Sequence, residues 1–190
     1  EIVVTPELGI VGYPPRDLLL KNSFIPANLA ALERVAAATG RTALLVGFVG
    51  RNERRPGREA TNSVALLQNG RVVATRSKTL LPTYDVFDED RYFEPYQGAK
   101  VLDLRGRRIG ISICEDIWND RDFWKRRRYH HDPVEELVRA GAAAIPLKGY
   151  RVPLIESAVG VGTWVALLAG ALLALAGLAG LVIPAWRARR

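Results

Sequence analysis

Hydrophobic positions in the first 147 residues fall in short blocks separated by charged, glycine-rich or proline-rich stretches, and the period inside each block predicts its conformation. "EIVVTPE" is a brief apolar run ending in a polar residue, the pattern of a buried strand entering a loop. "GYPPRDLLLKNSFIPANLAALERVAAATG" breaks at its prolines and then predicts a helix from about 26 to 38, closed by Gly40. "TALLVGFVG" predicts a second buried strand, and "RNERRPGREA" a polar loop. Two β runs flank Asn69-Gly70 in "TNSVALLQNGRVVATRSK", a strong hairpin signal. "KVLDLRGRRIGISIC" repeats it, turning at Arg105-Gly106-Arg107. "DPVEELVRAGAAAIPL" predicts a helix with Asp132 as N-cap and Pro133 at its first position, followed by the start of a strand. Strands mixed with helices, with adjacent hairpins, indicate an α+β fold built as a two-layer or mixed-sheet sandwich.

The pattern changes near residue 147. From Ser157 to Trp186 the chain carries no charge, and so long an uncharged run predicts a transmembrane helix. Trp164 and Trp186 would stand about 33 Å apart on that helix, close to the hydrocarbon thickness, as interfacial anchors. The expected division is a domain over 1–147, a linker over 148–156, a membrane helix over 157–186 and a basic tail over 187–190. Arginines at 187, 189 and 190 oppose Lys148 and Arg151, so charge fixes no orientation. The Ala, Leu, Gly and Arg content of the tail equally fits a segment foreign to the domain. The chain opens on Glu1 rather than methionine, which reads as a piece of a longer protein.

The net charge of +7 raises nucleic acid as a partner, but the basic residues are dispersed except in "WKRRRYHHD". No nucleic-acid-reading module accompanies that run, so it reads as a solvated helix face or loop and no nucleic acid is expected. His130 and His131 are adjacent and diverge on either a helix or a strand, so no metal site is expected. A single cysteine excludes an internal disulfide. The opening residues lack the basic and apolar regions of a signal peptide. "GRNERRPG" lacks the Lys-Ser/Thr of a phosphate-binding loop.

Three reactive side chains end apolar runs: Glu7 after "IVVTP", Lys78 after "RVVATRS" and Cys114 after "IGISI". Strand ends are where sheets deliver distant residues to one site. As chemistry the trio is coherent. A thiol nucleophile needs a proton acceptor, a glutamate can serve, and a lysine can stabilise the oxyanion formed on a carbonyl. A cysteine after an apolar run is also the pattern of a small buried hydrophobe, and Glu7 and Lys78 fit ordinary strand-end charges. Spacing alone leaves both readings open.

Glu7 in "VVTPELGIVGYPPRDLL", Lys78 in "KTLLPTYDVFDEDRYFEP" and Cys114 in "GISICEDIW" resemble the three motifs of the nitrilase, or carbon–nitrogen hydrolase, superfamily. Their wording is similar to the N-terminal glutaminase domain of glutamine-dependent NAD synthetases, over residues 1–147. The resemblance implies a nitrilase-like α-β-β-α sandwich, here incomplete, ahead of the expected membrane helix. It implies Cys114 as the nucleophile forming a glutamyl thioester, Glu7 as general base and Lys78 as support for the tetrahedral intermediate. Tyr84 matches a position lining the glutamine pocket, Glu89 a second glutamate that steadies such sites, and Glu115 borders the pocket beside the nucleophile.

L-Glutamine is the implied substrate. The glutaminase step needs no cofactor; ATP and magnesium belong to the partner synthetase domain, absent from this chain. Full-length members are expected to be homo-oligomers. The catalytic module is expected in the cytoplasm, anchored to a membrane through 157–186 if the tail is genuine. The family's first strand and helix, and its substrate-holding loop after "AAAIPL", are missing, so impaired turnover is expected. Two other readings stand beside this one. The first is a membrane-bound nitrilase-fold acyltransferase of the apolipoprotein N-acyltransferase type. The second is a non-catalytic membrane-tethered domain, favoured if Glu7, Lys78 and Cys114 failed to converge.

Overall fold

Both faces of the strand read from "TALLVGFVG" are apolar, so it needs a layer on each side. A computed structural model describes residues 2–54, 56–99, 101–104, 106–119 and 125–142, together with the backbone of 166–168. It supplies both layers. Strands β1 (Ile2–Val4), β2 (Ala43–Arg51), β3 (Ala60–Gln68) and β4 (Arg71–Ser77) form one sheet in that order. The β1–β2 pair is parallel, and the β2–β3 and β3–β4 pairs are antiparallel. Successive side chains take opposite faces. Val46 and Phe48 of β2, with Ala65 and Leu67 of β3, pack against Leu32 and Ala36 of helix α1 (Phe24–Ala37). Their neighbours Ala43, Leu45, Val64 and Leu66 face the other way.

That inner face meets a second sheet, in which β5 (Val101–Leu104) pairs antiparallel with β6 (Arg107–Ile113). Leu102, Ile109, Ile111 and Ile113 close the core between the sheets. Helix α2 (Pro133–Arg139) covers the outside of β6, where Gly110 leaves room for Leu137 and Ala142. The order is therefore helix, sheet, sheet, helix. Local signals held: Asn69 and Gly70 both take positive φ at the β3–β4 turn, as a tight hairpin requires. Asp132 Oδ1 accepts from the Glu135 N–H at 3.0 Å, capping α2.

The expected membrane helix over 157–186 is overturned. No helix among the described residues is long and apolar enough to cross a membrane. Within that stretch, Ala166–Leu168 form strand β7, pairing parallel with Ile111–Ile113 of β6. The exposed backbone donors and acceptors of β6 offer an apolar segment the pairing that a helix would otherwise supply internally. An unbroken apolar run lacks the periodicity that separates the two conformations. The rest of 157–186, and the expected linker and basic tail, lie outside the described residues.

One close approach ties this frame to the segment after β1. A Cβ at Gly47 would stand 2.4 Å from Leu8 N and 2.6 Å from Pro6 O, so only glycine lets that turn lie on β2. Gly47→Ala is expected to destabilise the fold by about 1–3 kcal/mol through overpacking. Urea denaturation followed by circular dichroism checks this; an unchanged midpoint would mean that the turn does not lie on β2.

Candidate active site

The turn seated on Gly47 carries Glu7. It is held by hydrogen bonds from Thr5 N to Leu45 O at 2.9 Å and from Ile10 N to Gly47 O at 3.0 Å. Lys78 follows the last residue of β4, and its N–H donates to Asn62 O at 2.8 Å. Cys114 follows the last residue of β6 and opens a short 3-10 turn, Cys114–Ile117. Its φ of 44° is unusual for a side-chain-bearing residue and marks a sharp, strained exit from the strand. Glu89 comes from the loop after β4, fixed by its N–H donating to Pro82 O at 3.0 Å.

These side chains converge at one end of the sheets. Lys78 Nζ donates to Glu7 Oε1 at 2.8 Å and to Glu89 Oε1 and Oε2 at 2.8 and 3.0 Å. Asn62 Nδ2 donates to Glu7 at 2.6 Å and to Glu89 at 3.2 Å, and the Tyr13 hydroxyl donates to Glu89 at 2.8 Å. Lys78 is 0% exposed and Glu7 2%. Burial works against the Lys78 ammonium, but the charges of Glu7 and Glu89 outweigh it and raise its pKa. Burial likewise raises Glu89, against the pull of Lys78.

Cys114 lies within the field of the same groups. Burial, with help from Glu7, Glu89 and Glu115 and against Lys78, pushes its thiol up to about 12. At neutral pH the sulfur is protonated. Reaction with an electrophile therefore requires a base, and Glu7 is the carboxylate with the largest effect on it.

A second buried group fixes the two strand ends to each other. Asp116 Oδ1 accepts from Thr79 N at 2.9 Å and Leu80 N at 2.8 Å, while Oδ2 accepts from Ile113 N at 3.4 Å. Arg76 Nη2 stands 3.6 Å from Oδ2, and both side chains are buried. Asp116 thus joins the segment after Lys78 to the turn that carries Cys114.

Beside the thiol, Glu115 is buried and accepts from the Tyr84 hydroxyl at 3.0 and 2.9 Å and from the Tyr129 hydroxyl at 2.6 Å. Tyr84 is pushed up to about 12 by burial and by its bond to Glu115. The Arg128 guanidinium lies 4.0 Å over the centre of the Tyr84 ring. All six residues expected at the site are thus found in two adjoining clusters: Glu7, Lys78 and Glu89 in one, Tyr84 and Glu115 in the other, and Cys114 in the field of both.

Sequence reasoning missed Asn62, Tyr13 and Asp116, and it dismissed Tyr129 and Arg128 as part of a solvated run. The signal for Asn62 was available: "TNS" is polar inside an otherwise apolar strand. Behind Glu89 a cavity of ≈ 410 Å³ is bounded by residues 13–17, 85–89 and 91–93, including Tyr13, Phe87 and Tyr92. Among the described residues, no group of three or more His, Cys, Asp or Glu is placed to hold a metal ion.

The carbon–nitrogen hydrolase family model matches residues 1–127. The glutamine-dependent NAD(+) synthetase of Synechocystis sp. is 39% identical over 145 residues, 74% of this chain and 26% of that protein. The enzyme of the same name from Xanthomonas campestris pv. campestris is 38% identical over 147 residues, 76% of this chain and 24% of that protein. Among solved structures, the glutamine-dependent NAD+ synthetase of Acinetobacter baumannii, in complex with adenosine diphosphate, matches with a TM-score of 0.62 and 30% identity. The match covers 74% of this chain and 24% of that one. The chain spans about a quarter of the length of the curated relatives it matches.

Removing the Asp116 carboxylate would leave the Arg76 guanidinium buried without its counter-charge. Asp116→Ala is expected to cost about 3–5 kcal/mol of stability. Arg139→Ala, which breaks an exposed pair with Glu135, should cost less than about 1 kcal/mol. Equal losses in parallel urea titrations would contradict the assignment of Asp116 as the link between the strand ends.

Proposed function

Because this chain belongs to the carbon–nitrogen hydrolase family, we propose that it releases ammonia from the side-chain amide of L-glutamine through a thioester on Cys114. Its place is the ammonia-supplying module of a glutamine-dependent NAD synthetase. The observation that supports this best is the buried Lys78 ammonium in direct contact with Glu7 and Glu89, with the protonated Cys114 thiol in their field.

Glu7 accepts the thiol proton as sulfur attacks the amide carbon and the carbonyl electron pair moves onto oxygen. Lys78 stabilises that oxyanion. The carbon–nitrogen bond then breaks as the carbonyl re-forms. Glu7 returns the proton to the departing nitrogen, and ammonia leaves. A water molecule, deprotonated by Glu7, attacks the thioester; sulfur leaves, takes back the proton, and glutamate is released. Through the first transfer the net charge of the site is unchanged, since negative charge only moves from carboxylate to sulfur. Glu89, Asn62 and Tyr13 keep Lys78 and Glu7 in place. Glu115, held by the Tyr84 and Tyr129 hydroxyls, supplies a negative charge suited to the α-ammonium of the substrate. The released ammonia is consumed by a separate synthetase domain, where ATP and magnesium act.

Intact-mass spectrometry after incubation with an electrophilic glutamine analogue tests the reading. A single adduct is expected, suppressed by excess glutamine, absent in Cys114→Ala and formed about a hundredfold or more slowly in Glu7→Gln. No adduct, with a general thiol reagent reacting only after denaturation, would make Cys114 a buried core residue and overturn the proposal.

A further inference from the structure

The basic run at 125–131 has no part in the chemistry above, yet it does not lie loose on the surface. Asn119 is 1% exposed and brackets the backbone of Tyr129. Its Nδ2 donates to Tyr129 O at 2.9 Å, its Oδ1 accepts from Tyr129 N at 3.1 Å, and Nδ2 also donates to His131 O. This bracket sets the Tyr129 hydroxyl on Glu115 and fixes the residue before it. The neighbouring arginines then part company. Arg127 turns toward α2, 3.5 Å from Asp132 and 4.0 Å from Glu135. Arg128 instead stacks on Tyr84, whose hydroxyl is on Glu115. Among the described residues Arg128 has no carboxylate within ion-pair distance.

A guanidinium stacked on an aromatic face keeps its N–H edge free, and that edge matches a carboxylate with two parallel hydrogen bonds. Tyr84 thus gathers one buried anion, Glu115, at its hydroxyl and one cation, Arg128, over its ring, the latter without a carboxylate partner among the described residues. A zwitterionic α-amino acid head has the complementary pair of charges. We infer that Arg128 binds the α-carboxylate of the substrate and so restricts the site to α-amino acid amides. This rests on the reading of the site as a glutamine amidase and adds its specificity-determining cation. Lys125, Arg126 and Arg128 are all exposed, and the stack on Tyr84 is what sets Arg128 apart from the other two.

Calorimetric titration of the full chain bearing Cys114→Ala, which binds without turnover, separates the contributions. The probes are glutamine, 4-aminobutanamide, which lacks the α-carboxylate, and glutaramate, which lacks the α-ammonium. Glutamine should bind about tenfold or more tightly than 4-aminobutanamide. Adding Arg128→Gln should erase that advantage, weaken glutaramate similarly and leave 4-aminobutanamide unchanged, while Arg128→Lys should restore part of the loss. Equal weakening of all three, or of none, would overturn the role of Arg128 and leave the amidase reading intact. Failure of every probe to bind the Cys114→Ala chain would overturn the amidase reading itself, and the role of Arg128 with it.

Discussion

A lysine ammonium fully removed from water and held between two carboxylates is the constraint on which the rest of this structure depends. An isolated buried charge would be lost to deprotonation or to unfolding, since its desolvation amounts to several kcal/mol. Lys78 keeps its proton because Glu7 and Glu89 reach it at 2.8 Å from segments distant in sequence. Each carboxylate is in turn completed by a neutral donor, Asn62 for both and Tyr13 for Glu89. Breaking the set by removing one member strands the others, so the turn after β1, the end of β4 and the loop carrying Glu89 must fold together.

The thiol inherits its character from that network. With two carboxylates and one ammonium nearby, the local balance is negative, and a thiolate at rest would add to it. Burial acts in the same direction. In the proposed reaction the thiol is thus held neutral at rest, with Glu7 as the group that takes its proton. Asp116 keeps the two strand ends in register, and the strained backbone at Cys114 marks where the chain leaves β6.

Much of this was legible in the chain. Alternating or continuous apolar blocks gave the strands, Asn69-Gly70 gave a hairpin, and Asp132-Pro133 gave a capped helix. Glu7, Lys78 and Cys114 stood out because each ends an apolar run, which places it at a sheet edge. Asn62, Tyr13 and Asp116 did not, because their roles are contacts across long sequence separations that no local period encodes. Tyr129 and Arg128 were hidden differently: a run of like charges resembles a solvated surface unless one knows that Asn119 turns the segment inward. The tail misled for the opposite reason. An unbroken apolar run has no period, and Ala166–Leu168 pairs with β6 as a strand instead of crossing a membrane as a helix.

The central claim is that Cys114 rests as a neutral thiol under the control of the Lys78–Glu7–Glu89 network. Because the chain has a single cysteine, its thiolate can be followed by ultraviolet absorbance across a pH titration, with Cys114→Ser subtracted to remove the tyrosines. The account predicts no thiolate through neutral and mildly alkaline pH, with a midpoint pushed from the ordinary 9.0 toward about 12 for as long as the fold persists. A midpoint at or below the ordinary value would show a thiolate already formed at rest, and would contradict the account.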